Sequence, residues 1–452
     1  MKAARKLRRL QHPRSLMEHL RQFLTPQVWK QARQAVPPGT RGRSLPRWDL
    51  QPLVIIMLAL TWAAGDSQEE KFETARGYYV ASHEARKRPG KILQGFQKAL
   101  SRVPMRQLKA LAAGVRHQIR LRFAERLLVD GFEPMGCDGS RIECPRSAEL
   151  EARLRQAGKD DSAPTVWVTA FVHLATGLLW SWQLGPGTAD ERQHLRRLLG
   201  TLSPAALIIV DAAYMGYELA WAILQAKMSF LMRMSSKVNL YTIEKAELET
   251  WSEGPVFYWP ENARKKGKPP IPCRLIRVPA KGKAKNDVWL LTNILDSARL
   301  SLTTAAKFYR WRWRNEGVFR TYKRTINKLK LSSRTVRLVH REAEVSLLAL
   351  QILLAHADLT LRSEKAIKGE PAISPRKVLL AIRRELKGSE KRRVPSYHER
   401  VKGCGVAHRH QTSPKARRVW PRRKPHEPPK PPILLTLTDE QKALLDQHLG
   451  AA

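Results

Sequence analysis

Thr165-Val-Trp-Val-Thr-Ala-Phe-Val-His173, a turn at Ala175-Thr-Gly177 and Leu178-Leu-Trp-Ser-Trp-Gln-Leu184 follow one another in the sequence. The β-branched and aromatic residues of the two runs, and the short turn between them, predict a β-hairpin. The segment Phe132–Ile142, which lies before them, also has the composition of a strand. We therefore predict a meander of three antiparallel strands.

Helices and strands alternate after this meander. A helix is predicted from about Asp190 to Leu202, and the apolar run Leu207–Val210 predicts a buried strand. A second helix is expected to begin near Tyr217, and Phe230–Met234 predicts another strand. Three antiparallel strands, a helix, a strand and a helix indicate an α/β fold.

Two aspartates belong to these predicted strands. Asp138 lies within the first strand, and Asp211 directly follows the run Leu207–Val210. Open α/β sheets bind their ligands at the carboxyl ends of strands, where the loops diverge and leave a crevice. On these residues alone, Asp138 could also be a turn residue before Gly139, and Asp211 could be a turn or helix-capping residue.

A third acid stands alone in a basic segment. Between Lys307 and Lys330 the sequence has nine Lys or Arg residues and one carboxylate, Glu316. On a regular α-helix with about 100° per residue, Glu316 would share a stripe about 60° wide with Tyr309, Arg312 and Lys323. A carboxylate that holds a divalent metal beside a phosphate backbone would be surrounded in this way. The alternative is a solvated helix face with an Arg312–Glu316 ion pair.

The spacing Tyr309-x2-Arg312-x3-Glu316-x6-Lys323 resembles the signature of the bacterial insertion-sequence transposases that have a DDE catalytic triad and a Tyr-Arg-Glu-Lys (YREK) motif. The resemblance implies that Tyr309, Arg312 and Lys323 contact the phosphates of the transposon end. It also implies an RNase H-like (retroviral-integrase-like) catalytic domain, with which the predicted order of strands and helices agrees.

By the same resemblance, the catalytic and metal-binding carboxylates are expected to be Asp138, Asp211 and Glu316. They would hold two Mg2+ ions, with Mn2+ as a substitute, because carboxylate oxygens suit these ions. The implied function is a DNA transposase, which cleaves DNA at the ends of an insertion sequence and transfers the 3′-hydroxyl into target DNA. The expected partner is double-stranded DNA, bound by a homodimer. A catalytically inactive DNA-binding relative and a hydrolytic RNase H-like nuclease remain alternatives.

Residues 239–287 are predicted to be a β-rich insertion in the catalytic domain. Similar relatives carry an insertion that can present an aromatic residue to a base flipped from the transposon end, and Trp289 is the nearest match. Stacking of a base on an indole contributes about 1 to 3 kcal/mol. The alternative is that Trp289 is a core residue of a buried strand.

The composition favours nucleic acid as the partner. The chain has 82 Lys and Arg against 40 Asp and Glu, a formal charge of +42, and these basic residues are spread along its 452 residues. The most apolar stretch, Leu53–Ala64, is shorter than the roughly twenty residues of a membrane-spanning helix, and predicts a buried helix. We expect no membrane association and a cytoplasmic, nucleoid-associated location in a bacterium. Four irregularly spaced cysteines fit a reducing compartment.

Three regions are expected along the chain. Residues 1–128 are predicted to form a helical DNA-binding region that recognises the transposon ends. Residues 129–362 would be the RNase H-like catalytic domain, and residues 363–452 a basic, largely flexible region.

Within the first region, residues 92–122 could form a helix-turn-helix. Its second helix would present four basic residues to DNA, namely Arg116, His117, Arg120 and Arg122. A plain helical hairpin with a charged outer face is the alternative.

Overall fold

The computed structural model describes residues 15–36, 48–83, 88–155, 162–280, 287–362, 374–388, 396–404 and 431–450. The strands of these residues are β1 (Glu133–Glu143), β2 (Thr165–His173), β3 (Leu178–Pro186), β4 (Ala206–Val210), β5 (Ser229–Arg233), β6 (Asn239–Thr242), β7 (Glu253–Tyr258), β8 (Ile271–Val278), β9 (Val288–Thr292) and β10 (Ile433–Thr436). Within the described chain they form one mixed sheet of ten strands, in the order β10-β6-β7-β8-β9-β5-β4-β1-β2-β3.

The helices before the sheet are α1 (Leu16–Phe23), α2 (Pro26–Gln34), α3 (Leu50–Trp62), α4 (Gln68–Ala81), α5 (Leu93–Arg102), α6 (Met105–Arg122) and α7 (Ala124–Leu127). Those within the sheet region are α8 (Ala148–Leu154), α9 (Glu191–Leu198), α10 (Tyr217–Gln225), α11 (Glu261–Arg264), α12 (Leu302–Trp311) and α13 (Arg314–Arg320). The last helices are α14 (Val336–Arg362), α15 (Pro375–Leu386), α16 (Tyr397–Lys402) and α17 (Asp439–Gly450).

The predicted meander is present. Strands β1, β2 and β3 pair in antiparallel fashion, and Asp138 of β1 lies opposite Ala170 of β2. Strand β4 then pairs parallel to β1, and β5 parallel to β4. All five residues of β4 are buried, as expected for a parallel strand with both faces covered.

Beyond β5, the strands of the predicted insertion continue the same sheet. Strand β9 pairs antiparallel to β5, and β8, β7 and β6 follow in order. The predicted strand-like pieces within 239–287 are therefore real strands, but they extend the main sheet and do not form a separate body. Their position could not be read from the sequence because strand pairing is a tertiary property.

Helix α14 links the sheet to the N-terminal helices. It packs against β3 on one side and against α3, α5 and α6 on the other. Helix α3 is apolar on all faces and buried, in agreement with the prediction for Leu53–Ala64. Among the described residues, no helix has the length and apolar character needed to span a membrane.

Helices α5 and α6 follow one another across Val103 and Pro104, and two arginines of α6 contact other parts of the protein. Both Arg120 terminal nitrogens donate to the Glu133 carboxylate, at 2.7 and 3.0 Å, and Arg122 donates to the Gln22 carbonyl at 3.1 Å. Burial lowers the pKa of Arg116 to about 10. Arg120 and Arg122 thus have partners within the protein, and whether residues 92–122 form a helix-turn-helix that presents basic side chains to DNA stays a prediction.

The described parts of residues 363–452 contain regular elements. Helix α15 packs against α14 and α3, and β10 pairs parallel to β6. Most of the segment expected to be flexible, including residues 405–430, lies outside the described residues.

Candidate active site

Asp138 and Asp211 follow the paired parts of two adjacent parallel strands. The pairing of β1 with β4 ends at Gly136 and Ile209, two residues before Asp138 and two before Asp211. Both predicted aspartates therefore lie at the same edge of the β1–β4 pairing.

Four groups surround the Asp211 carboxylate. It accepts a hydrogen bond from the Ala212 N–H at 2.8 Å, as the cap of a short 3-10 turn. Arg233 Nη1 lies 3.5 Å from its Oδ1, and Arg312 Nη2 lies 3.6 Å from its Oδ2. The Tyr309 hydroxyl donates to Oδ1 at 3.5 Å. Two residues of the Tyr-Arg-Glu-Lys spacing thus reach the second aspartate from a distant part of the chain.

The segment from Tyr309 to Lys323 is not one regular helix, and the prediction of a single stripe was wrong in this respect. Between α12 and α13 the Asn315 N–H bonds to the Arg312 carbonyl, three residues back, as in a tighter 3-10 turn. After α13, residues Thr321–Thr325 form a π-helical turn in which Ile326 N–H bonds to the Thr321 carbonyl. Each irregular turn rotates the side chains that follow it away from the positions they would have on a regular α-helix.

Helix α13 carries Glu316 across β1. The helix packs on β1, where a Cβ on Gly136 would lie 2.7 Å from the Asn315 side chain. Glycine at position 136 therefore allows the close approach of the helix. Glu316 is exposed, and its charge acts on Asp138.

Asp138 is the most perturbed acid of the site. Burial raises its pKa from 3.8 to about 6, although the Gly139 N–H and the Arg312 guanidinium oppose this change. The negative charges of Glu191 and Glu316 raise it further. The raised pKa of Asp138 therefore reflects its burial first, and the neighbouring charges of both signs second.

Two residues of this site were not predicted. Glu191, in the first turn of α9, approaches β1 so closely that a Cβ on Gly139 would lie 2.9 Å from its Cδ. Arg233 ends β5, where the register pairs Met232 with Val210 and so brings Arg233 level with Asp211. An arginine inside the otherwise apolar run Phe230–Met234 was a signal for the second residue, whereas the position of Glu191 depends on how α9 packs.

The two remaining predicted residues occupy different environments. Lys323 lies in the π-helical turn, and partial burial lowers its pKa. Trp289 lies on β9 with 7% of its surface exposed, and Arg277 covers its ring at 5.5 Å. This burial favours the alternative that Trp289 is a core residue, since stacking on a DNA base would require Arg277 to move.

The acids of the site are not gathered into a complete metal-binding group. Within the described part of the chain, no group of three or more His, Cys, Asp or Glu side chains is placed to hold one metal ion. Asp138 and Asp211 nevertheless offer carboxylate oxygens, the ligands that Mg2+ prefers. Their donor chemistry suits a divalent ion, and in this structure Arg233 and Arg312 lie against the Asp211 carboxylate.

Comparisons with known proteins agree with this chemistry. Residues 137–352, slightly less than half of the chain, match the family model described as Transposase DDE domain, and this region contains Asp138, Asp211 and Glu316. The match assigns the chain the function of a DNA transposase, an enzyme that cleaves and joins DNA.

A cryo-EM structure of the piggyBac transposase synaptic complex with hairpin DNA is similar with a TM-score of 0.45 and 12% identity, covering 90% of this chain and 88% of that chain. This similarity is distant, and no residue assignment rests on it. The search of curated proteins found no match.

Proposed function

We propose that this DNA transposase cleaves DNA at the ends of an insertion sequence and transfers the 3′-hydroxyl into target DNA, with Asp138, Asp211 and Glu316 as its catalytic carboxylates. The observation that carries the proposal is the convergence on Asp211, whose carboxylate meets Tyr309 and Arg312 while Asp138 lies on the adjacent strand. These residues are far apart in the sequence, so their convergence is a property of the fold. The order β3-β2-β1-β4-β5 supports an RNase H-like core for this site.

The three carboxylates would hold two Mg2+ ions, for which Mn2+ could substitute. Bound ions would supply charge stabilisation for an in-line displacement at phosphorus. Glu191 and Glu316 act on Asp138 with negative charge that would favour a bound cation, and Arg312 acts on it with the opposite charge. One or two carboxylates together with substrate phosphate are a usual ligand set for Mg2+.

Tyr309, Arg312 and Lys323 are assigned to the DNA phosphates. In the absence of DNA, Arg312 neutralises Asp211, and 8% of its surface is exposed. Bound phosphate would offer this guanidinium a second anionic partner and would fix the scissile strand. Arg233 also lies 3.5 Å from Asp211, so that carboxylate keeps a cationic neighbour if Arg312 turns toward phosphate.

The three-region organisation belongs to the same proposal. Residues 1–128 would contribute to recognition of the ends, residues 129–362 would form the catalytic domain, and residues 363–452 would add basic surface. Two transposon ends would be brought together by a homodimer on DNA. The bacterial nucleoid is the location that this function implies.

The proposal is tested with labelled DNA that carries the flanking ends, in the presence of Mg2+. Wild type should release cleaved ends and produce joined products. Glu316→Gln should bind the ends but neither cut nor join them, because it removes a metal-binding carboxylate and leaves the phosphate contacts. Glu125→Gln is the matched control, since Glu125 is an exposed glutamate of α7, and it should behave as wild type.

Arg312→Ala separates binding from chemistry. Its binding to the ends should weaken and its salt dependence should decrease, because a phosphate contact is lost. Equal loss of binding in Arg312→Ala and Glu316→Gln would refute this division of roles. Cleavage by wild type without joined products would favour a hydrolytic nuclease, and binding without any reaction would favour an inactive relative.

A further inference from the structure

A cavity of about 390 Å³ lies beside the π-helical turn, between this turn and α15. The guanidinium groups of Arg324, Arg376 and Arg383 line it, together with Asn327. Of the described residues that line this cavity, none is Asp or Glu. We call it the arginine cavity.

A hydrogen bond to the backbone fixes the Arg383 side chain. Its Nε donates to the Trp62 carbonyl at 2.9 Å, which fixes the guanidinium at the wall of the cavity. Burial lowers the pKa of Arg383, and the positive charge of Arg376 lowers it further. Two guanidinium groups that repel each other in this way are stabilised by an anion that binds between them.

The basic lining continues into a neighbouring cavity of about 480 Å³, which shares Asn327 and Arg383 with the first. Lys71 and Lys330 line this second cavity. Glu342, the acid among its described lining residues, is buried and already paired with Lys328 at 2.6 Å. Lys330 also pairs with Glu143 at 3.0 Å, and most other residues that line the second cavity are apolar or uncharged, so the basic lining is concentrated in the arginine cavity.

We propose that the arginine cavity binds a backbone phosphate of the DNA, beyond the phosphate that reacts at the carboxylates. Arg324 directly follows Lys323 in the π-helical turn, so the cavity lies next to a residue that the proposed function assigns to the DNA phosphates. A guanidinium group binds phosphate oxygens through two parallel N–H donors, which a cavity lined by arginines provides. The inference rests on the proposed function and adds a contact site to it.

The test uses Arg324→Ala/Arg376→Ala in the Glu316→Gln background, so that DNA is bound but not consumed. Both arginines are exposed, and Arg383 is left unchanged because it also bonds to the backbone. Fluorescence anisotropy with labelled end DNA, measured over a range of salt concentrations, gives the affinity and its salt dependence. Since each lost phosphate contact removes about 0.9 from the slope of log K against log salt, we expect a slope smaller by about one to two and binding at least about fivefold weaker.

Two further variants make the result specific. Arg324→Lys/Arg376→Lys keeps the charge and should restore most of the slope. Lys237→Ala/Lys245→Ala removes the same charge from exposed lysines that line neither cavity and lie outside residues 1–128, and should change the slope much less.

A slope equal to that of Glu316→Gln alone, or an equal change in the Lys237/Lys245 variant, would overturn the inference. If wild type cuts and joins the ends while Arg324→Ala/Arg376→Ala binds DNA like its Glu316→Gln parent, the phosphate site in the arginine cavity is refuted and the proposed function is not. If wild type does not bind DNA at all, the proposed function fails together with it.

Discussion

Asp138 combines a role in the proposed chemistry with a penalty for folding. Its pKa of about 6 in the folded protein lies above the ordinary value of 3.8, because burial disfavours the charged form. Above pH 6 the folded state must hold a charge that the unfolded chain solvates freely. Below about pH 4 both states bind the proton and the penalty disappears.

Asp138→Asn should therefore stabilise the protein at pH 7 by about 1 to 2 kcal/mol and should abolish cleavage. The amide can still accept the Gly139 N–H bond that the carboxylate accepts at 2.8 Å. Chemical denaturation at pH 7 and at pH 4 measures the effect, and no gain is expected at pH 4.

Asp130→Asn is the matched control for that substitution. Asp130 has a positive φ of 50°, which asparagine tolerates, and its hydrogen bond from Lys307 lowers its pKa. This variant should lose a little stability at pH 7. A loss of stability at pH 7 in Asp138→Asn as well would contradict the burial penalty.

At the scale of residues, a linear pattern can propose only site residues whose spacing is local. Tyr309, Arg312 and Glu316 lie within one short segment, so a linear pattern contains them. Arg233 and Glu191 reach the site through strand register and helix packing, which no linear pattern states.

At the scale of elements, one buried ion pair fixes the end of the segment that carries Glu316. Glu342 of α14 accepts Lys328 Nζ at 2.6 Å and the N–H groups of Ser332 and Ser333 at 3.0 and 2.9 Å. Burial acts to raise the pKa of Glu342, but Lys328 and these hydrogen bonds lower it below its ordinary value. The pair therefore stabilises the fold above about pH 4.5, and this contribution is lost as the pH falls further.

Glu342→Gln should destabilise the protein at pH 7 by about 3 to 5 kcal/mol, because Lys328 would remain buried without a charged partner. Glu344→Gln, two residues further along the same helix, is the control. Burial raises the pKa of Glu344 to about 7, and its partner is the Trp182 indole N–H at 2.6 Å, which an amide oxygen can also accept. Thermal or chemical unfolding should show a larger loss of stability in Glu342→Gln than in Glu344→Gln. Equal losses of stability would show that the Glu342–Lys328 ion pair does not stabilise the fold more than a neutral hydrogen bond does.

The irregular helix between Tyr309 and Lys323 shows why element boundaries were predicted less well. An ideal period of 100° per residue assumes that only local bonds set the helix. Here Asn315 packs against Gly136, and the Tyr322 hydroxyl shares a hydrogen bond with Ser346 of α14 at 2.7 Å. Such contacts with distant elements determine in which direction the side chains of each helical turn point.

At the scale of the whole molecule, the C-terminal residues complete the sheet. Strand β10 pairs parallel to β6, and Leu434 lies opposite Leu240, nearly two hundred residues earlier in the chain. Leu437 and Leu445 are each 3% exposed, and the His448 ring meets the Trp259 ring edge-on at 6.1 Å. The sequence analysis placed this segment in a largely flexible region and could not name its partner, because strand pairing is not encoded locally.

This docking predicts a local change in stability. Leu445→Ala removes buried apolar volume and should weaken the docking of α17 and β10 by about 2 to 4 kcal/mol. Leu444→Ala is the matched control, since Leu444 is 41% exposed and its truncation should change stability by less than about 0.5 kcal/mol. Because a terminal strand can open without global unfolding, hydrogen exchange is the suitable measurement.

In Leu445→Ala the amides of β6 and β10 should exchange faster, while those of β4 should not change. Opening of β10 would expose the edge of β6, so self-association should increase with protein concentration in the same variant. Faster exchange in β4 as well would mean that the C-terminal segment supports the whole sheet and not only its edge. Equal exchange in the Leu445 and Leu444 variants would show that α17 does not hold β10 in place.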